Sequence, residues 1–511
     1  MSRFSRGLVV WVTLLACLMQ APPVLVGAPA KAIVIGVPSI PPTADPHQFT
    51  APIPTIFQHN VFDALLELDP DGNLQPSLAI SWKRLNNTAW EYKLRPNVRF
   101  HNGQLLSAED VKFTYTRGAD TKNPLTVGVS PRITTLERVE VVDASTVRFH
   151  LGSPDAGWER KTAVLKIIPA KHYEALGERQ AALRPVGTGA FSVSRFVPGE
   201  VVVLEAATSS WRGRPKLQRI ELRSIPETTV RASALKAGDV QMVVAISPDE
   251  VALLRQAGFI VATGELARVE TVGMNTWTEN EEYKPFWDRR VRQALNYAVD
   301  KTAITRNIFR GITSPIGQYV TRGVFGYNPE IGAYPYDPQK AKELLSSAGY
   351  PNGFRIRMHA SQGACLGDRE SAEAVAGYLR SVGVQVDLQV LEFAAFQDLF
   401  HSLGRRAPLF YECWTAPPQM DAEAVLVNIS ADHRSKRYMN ALFARLLNES
   451  RTELNSQRRA QMLHRLGRIA YDDPPAIFLF AEPQTFGHTR ALVGFSPRLD
   501  GVLWMKDMDL R

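Results

Sequence analysis

Residues 76–117, PSLAISWKRLNNTAWEYKLRPNVRFHNGQLLSAEDVKFTYTR, read as a strand, a tight turn and a capped helix. Trp90, Tyr92 and Leu94 alternate with Glu91 and Lys93, the period of a half-buried strand. Val98 and Phe100 continue the alternation, and Asn102-Gly103 supplies a pair that tolerates positive φ in a turn. Ser107 can cap the following helix, with Glu109 and Asp110 placing negative charge against its N-terminal dipole. No group in this block is poised for catalysis, so it reads as a structural module.

Upstream, Ile33 to Val37 reads as a buried strand that ends in a proline-rich loop, Ser39 to Pro46. Ile56 to Leu66 has helical spacing, and Asp69-Pro70-Asp71-Gly72 is a turn. Downstream, Val139, Val141, Val147, Phe149 and Leu151 alternate around Asp143-Ala144-Ser145, the pattern of a hairpin. Gly187-Thr188-Gly189 invites a phosphate-loop reading, but it leads into the strand Phe191 to Val197 and not a helix, which argues against nucleotide binding.

Strands at Val201 to Leu204, Ile220 to Ile225 and Val240 to Val244, with a helix at Glu227 to Ala237 stopping at Gly238, give the alternation of an α/β lobe. A second large lobe begins near Gly273. Asp288 caps a helix bearing Val291, Leu295 and Ala298; Asp337 caps the next, started by Pro338. Phe354 to Met358, a helix over 369–382 and Val384 to Leu391 make a strand-helix-strand unit, hence a parallel pair. Leu409 to Trp414 is another strand, and two helices, over 437–450 and 453–471, precede the apolar strand Ile477 to Phe480.

A chain of 511 residues is too long for one ordinary core and predicts two or three lobes. Arg3 and Arg6 precede an apolar run from Leu8 to Met19, too short to span a bilayer, and Ala28-Pro29-Ala30 offers small residues for cleavage. That is an export leader over residues 1–30. A competing reading makes Leu14-Leu15-Ala16-Cys17 a lipobox with Cys17 lipidated; Leu15 is an awkward residue there, which favours a soluble periplasmic form. Without the leader the formal charge falls from +8 to +6, thin over so large a surface, and with no dense basic stripe nucleic acid is not an expected partner. Cys365 and Cys413 remain; in an oxidising compartment they either pair or stand as two small buried residues.

The ten histidines show no HExxH or HxH pattern and no partner cysteine at ligand spacing, no G-x-S-x-G elbow is present, and there is no Walker motif. The sequence therefore points to no catalytic residue, no cofactor and no metal site built by the protein alone, and a secreted hydrolase is the rival from another class. The best site candidate runs from Tyr411 through Trp414, Thr415 and Ala416 to Asp421, an aromatic-bearing strand end entering a proline loop. Ligands sit beyond the carboxyl ends of strands in α/β lobes, and an aromatic there offers contact area at low entropy cost. A core tryptophan followed by an ordinary loop is the plain alternative. Asn275, Trp277 and the loop Ser39 to His47 are further cleft candidates.

Leu78-Ala79 with Trp82, then Leu94-Arg95 through Phe100-His101-Asn102-Gly103, then Ala108-Glu109-Asp110-Val111 resemble the block shared by the peptide/nickel family of solute-binding proteins, the extracytoplasmic receptors of ABC importers. The run Arg290 to Asp300 is similar to another block of that family, and the resemblance extends over nearly the whole chain after residue 30. It implies a class II periplasmic-binding α/β fold: two hinged lobes and a smaller inserted α+β lobe. The expected bounds are 31–66, 185–272 and 488–511 for lobe I, 67–184 for the insert and 273–487 for lobe II, with hinges near 272–276 and 484–490.

It also implies a peptide or peptide-like solute held between the lobes, and a monomer docking on a membrane permease whose ATPase subunits supply energy. Peptide-binding members place an Asp three residues after the Trp to hold the peptide's amine; here that position is Pro417, so Asp421 or Glu412 would have to substitute. The nickel-binding branch also lacks that Asp, which keeps a chelated metal as an alternative ligand.

Overall fold

In the computed structural model, which describes residues 31–50, 56–277, 279–401, 405–433 and 436–511, the block 76–117 builds one edge and the covering helix of a small α+β lobe. Its antiparallel sheet runs Ala79–Asn86, Ala89–Leu94, Thr146–Leu151, Leu136–Asp143. Trp90 faces Phe149 and Tyr92 faces Val147 across the central pair. The helix Ala108–Ala119 lays Val111 and Tyr115 on that face, with the Tyr115 and Phe149 rings 4.6 Å apart. Each such side chain contributes about 1.5–3 kcal/mol by leaving water. Ser107 and Asp110 close a capping box, the Ser107 N–H donating to Asp110 Oδ2 at 3.0 Å.

Two expectations need correcting. Val98 and Phe100 are buried but do not extend the strand: Asn97 turns to φ 59°, and beyond it only the bridge Arg99–Leu105 forms, closed by Gly103 at φ 86°. The helix expected over 56–66 shrinks to one turn, Gln58–Val61, followed by the strand Leu66–Leu68. Phe57, Val61, Phe62, Leu65 and Leu66 are buried, and so are the polar Gln58, Asn60 and Asp63 among them, so this stretch is enclosed on every side and its spacing carries no single face. The extended path lets Ala64 bridge to Lys166 across the lobe.

Ten strands form the large sheet, in the order Val384–Glu392, Phe354–Gln362, Leu409–Thr415, Ile260–Met274, Ala476–His488, Met242–Val244, Ala32–Val37, Arg219–Ser224, Val201–Ala206, Phe191–Val197. At one end Ala32–Val37 lies parallel to Arg219–Ser224 and Met242–Val244, linked by the helix Thr228–Ala237 that Gly238 ends at φ 85°. At the other, Phe354–Gln362 and Val384–Glu392 are parallel through the helix Asp368–Ser381. Separate apolar cores lie under the two ends, one around Ile33, Ile35 and Leu222, the other around Leu295, Met358 and Leu379. The architecture is the expected one of two α/β lobes with a smaller α+β lobe. The Asp288 and Asp337 carboxylates cap their helices as read, accepting from Arg290 and Lys340 N–H groups at 2.8 and 2.9 Å.

Two long strands cross from one lobe to the other. Ile260–Met274 pairs antiparallel with Ala476–His488 from Ile260–His488 down to Gly273–Ala476, and the register breaks between Glu265–Pro483 and Val269–Ala481. The register shifts again between Glu270–Phe480 and Thr271–Phe478, so the irregular stretch adjoins the 272–276 and 484–490 segments singled out in the sequence. The leader expected over 1–30, with Cys17, lies outside the described residues, and no helix among the described residues is long and apolar enough to cross a membrane.

Candidate ligand cleft

Leu409–Thr415 pairs with Arg268–Met274, so alternate side chains serve opposite faces. Tyr411 is fully buried and donates its hydroxyl to Glu270. Trp414 points the other way, half-buried, with the Arg437 guanidinium 4.9 Å from its ring; Arg437 in turn pairs with Glu412 at 2.5 Å. Thr415 is half-buried and Ala416 is fixed by an N–H bond to the Ala267 carbonyl at 2.9 Å. The chain then turns through Pro417, Pro418 and Gln419, with Met420 at φ 52° donating back to the Ala416 carbonyl at 3.0 Å.

This loop is the shared wall of two cavities. The first, of about 400 Å³, has Pro417 and Pro418 on one side and Asp63, Lys166 and Arg212 on the other. The second, of about 490 Å³, lies beyond Gln419 and is lined by Arg132, Arg160, Asp421 and Glu423; Thr50 lines both. Both volumes suit a small organic solute. The inserted lobe is clamped onto the loop: Arg132 donates to Gln419 Oε1 at 2.7 Å and Thr50 Oγ1 at 3.1 Å, and Arg160 donates to the Gln419 and Met420 carbonyls at 3.3 Å.

Of the residues picked from the sequence, Trp414, Thr415 and Ala416 carry the two prolines to the first cavity without lining it. Asp421 lines the second, but Arg459 grips it through both oxygens, at 2.6 and 3.0 Å. Asn275 and Trp277 follow the opposite end of the strand pair, away from both cavities, with Asn275 Oδ1 accepting the Trp277 N–H at 3.1 Å. Sequence reasoning missed Asp63, Lys166 and Arg212, which come together only in the fold.

Asp63 is buried and accepts from Arg212 Nε at 2.7 Å, Thr188 Oγ1 at 2.7 Å and Trp211 Nε1 at 2.9 Å. Burial pushes its carboxyl up, but Arg212 and these donors outweigh it and hold it below the usual range. Arg212 also pairs with Glu67 and lies 5.0 Å over Trp504. His59 on the same wall is pushed well below its ordinary value by burial, then by Lys166, Arg498 and Arg212, so it stays neutral. On this wall Asp63 and Glu67 are therefore paired to Arg212, with a neutral imidazole beside them.

Behind the strand end, Cys365 and Cys413 form a disulfide with Cα atoms 6.4 Å apart, which settles the two open readings. They and Glu482 are the only described group with metal-ligand geometry, and pairing leaves no thiolate to ligate. Glu270, Glu482 and Asp368 crowd this region with Arg268, which pairs with Glu482 at 3.0 Å. Burial, then Glu482, pushes the Glu270 carboxyl far above the usual range, and Glu270 Oε1 has no hydrogen-bond partner.

An acid raised in the folded state keeps its proton while the unfolded chain's ionises, so stability is greatest below the normal carboxylate pKa and falls as pH rises towards the folded value. Urea unfolding between pH 5 and 7 is expected to show this loss at up to about 1.4 kcal/mol per pH unit for one proton. Glu270→Gln flattens it, and an unchanged slope in that variant would place the proton elsewhere.

A family profile described as bacterial extracellular solute-binding proteins, family 5 Middle, matches residues 73–433. The chain is similar to glutathione-binding protein GsiB of Pectobacterium atrosepticum, 27% identical over 504 residues and 94% of each chain. It is also similar to heme-binding protein A of Haemophilus influenzae, 26% identical over 475 residues, 87% of this chain and 84% of that one. The fold matches the periplasmic binding protein DppA of Helicobacter pylori in complex with the peptide STSA, at TM-score 0.78 and 22% identity over 94% and 98% of the two chains. The substrate-binding protein CtaP of Listeria monocytogenes superposes at TM-score 0.84 with 20% identity over 94% and 99%. With the profile spanning well over half its length, the chain belongs to the bacterial extracellular solute-binding proteins of family 5.

Proposed function

We propose that this chain is the extracytoplasmic receptor of an ABC importer, capturing a peptide or peptide-like solute between its lobes and delivering it unchanged to a membrane permease. The observation that carries this is the 400 Å³ cavity walled jointly by Pro417-Pro418 and by the Asp63, Lys166 and Arg212 cluster of the facing lobes. Relatives named for glutathione and a fold neighbour holding a peptide support the solute class. The lobes are 31–66 with 185–272 and 488–511, 67–184, and 273–487, and the register break at Glu265–Val269 is where they hinge. Trp414, Thr415, Ala416 and Tyr411 hold the cleft loop in place, with Asp421 as its anchor and Asn275 and Trp277 framing the far strand end. The chain works as a soluble periplasmic monomer, freed of its 1–30 leader.

Thermal unfolding with increasing glutathione or di- and tripeptides tests this. A saturable shift, worth about 2.7 kcal/mol at a hundredfold excess over Kd, with the solute recovered intact by mass spectrometry, is the expected result. Cleaved solute would return the hydrolase reading, and a flat response to the whole panel would remove the solute class.

A further inference from the structure

Lys166 sits between Leu165 and Ile167, both fully buried, so its side chain leaves the opposite face of the chain. Its backbone is pinned: the Lys166 carbonyl accepts from His47 Nε2 at 2.8 Å, and the Ile167 N–H donates to the Asp63 carbonyl at 2.8 Å. The side chain lines the first cavity although the residue is only 8% exposed.

Among the described residues no carboxylate pairs with it, and the third acid nearby, Asp500, is held by Arg498. Asp63 Oδ1 takes Arg212 and Oδ2 takes Thr188 and Trp211, while both Glu67 oxygens take Arg212. The wall contributed by the cleft loop, Pro417 and Pro418, has no side-chain acceptor to offer. The Lys166 side chain thus lines the cavity with three N–H donors and, among the described residues, no hydrogen-bond or ion-pair partner, while Asp63, Glu67 and Asp500 attract its charge from further off.

The geometry points to Lys166 as the anchor for a carboxylate on the captured solute, making this a receptor for carboxylate-bearing peptides or peptide-like molecules. The inference rests on the receptor reading above. Burial lowers the Lys166 pKa to about 8, so the side chain is mostly protonated at neutral pH and gains from an arriving anion. The neutral proline wall facing it fits the same polarity: nothing on that side competes with Lys166 for the charged end of the solute. The carboxylate could belong to a peptide C-terminus or to the α-carboxylate of a γ-glutamyl end, and the probes separate these.

Titration calorimetry at pH 7 with Ala-Ala-Ala, its C-terminal amide and glutathione, on wild type, Lys166→Met and Lys166→Arg, decides it. Ala-Ala-Ala binding at least about 10-fold more tightly than its amide, with that gap lost in Lys166→Met and largely kept in Lys166→Arg, is the expected pattern for a C-terminal carboxylate. Glutathione alone binding, with the same dependence on Lys166, points to the γ-glutamyl α-carboxylate, which Ala-Ala-Ala lacks. If Ala-Ala-Ala and its amide bind wild type equally and Lys166→Met holds glutathione undiminished, the anchor is wrong while the receptor stands. If no probe saturates wild type, the peptide reading falls and takes the anchor with it. Should Lys166→Met fail to fold, the comparison of acid and amide on wild type still decides.

Discussion

Replacing Asp421 with Ala is expected to lower the unfolding free energy by about 3–5 kcal/mol, the cost of stranding one member of a buried ion pair. The side chains of Asp421 and Arg459 are only 5% and 3% exposed, so water can compensate neither. Arg459 ties four points together: Asp421 through two bonds, Glu423 Oε2 at 2.9 Å, and the Ser450 carbonyl at 3.2 Å. Asp421 Oδ1 also caps the Glu423 N–H at 3.0 Å. Burial raises the Asp421 carboxyl, yet Arg459 more than reverses this and holds it below the usual range. Its stabilisation is therefore present above the normal carboxylate pKa and lost as pH falls through the lower folded value. Urea denaturation at pH 7 measures the loss, and Asp421→Asn with Arg459→Met should recover part of it. Were Asp421 reserved for the solute, Asp421→Ala would abolish binding while leaving stability within about 0.5 kcal/mol.

The same anchoring explains how an uncharged loop can serve a cleft. Pro417 to Gln419 contributes shape, and its position is imposed from outside by Arg459 behind it and by Arg132 and Arg160 across from it. Arg132 has only neutral partners, and burial brings its pKa down to about 10, so it stays charged and contributes a strong donor to Gln419. The contact between the inserted lobe and the loop therefore keeps the Arg132 guanidinium out of water.

Much of the fold was legible where one side of an element faces water. Phe191–Val197 and the hairpin Leu136–Asp143 with Thr146–Leu151 follow from alternation, and Thr228–Ala237 from its Gly238 stop. Ile260–Met274 escaped because Gly264, Glu265, Arg268 and Glu270 interrupt its apolar pattern; these polar residues find partners only in the assembled sheet. The segment 56–66 failed because it is buried all round, its polar Gln58, Asn60 and Asp63 included. At the site, the Trp414 to Pro418 stretch could be read because strand end and loop are contiguous. Asp63, Lys166 and Arg212 could not, since more than one hundred residues separate Asp63 from Lys166, and it takes the Ala64–Lys166 bridge, the Ile167–Asp63 bond and the Arg212–Asp63 pair to bring them together.

Removing the disulfide with Cys365→Ala and Cys413→Ala is expected to cost about 2–4 kcal/mol. The cysteines are 48 residues apart, and closing a loop of that length in the unfolded chain gives an upper figure of about 4 kcal/mol. The native loop carries part of its own order: Asp368 accepts from Ser361 Oγ at 2.9 Å and from the backbone N–H groups of Gly363, Ala364 and Cys365 at 3.2, 2.8 and 3.3 Å. Arg268 adds a bond to the Ala364 carbonyl at 2.9 Å. That scaffold survives loss of the bond, so the folded state should keep its shape and the loss should appear as a shift of the urea midpoint. Hydrogen exchange should rise first at 363–367, where Asp368 and Arg268 then hold the turn without the covalent link. A double variant as stable as the oxidised protein would mean that the Asp368 turn, and not the covalent link, fixes the strand end that carries the cleft loop.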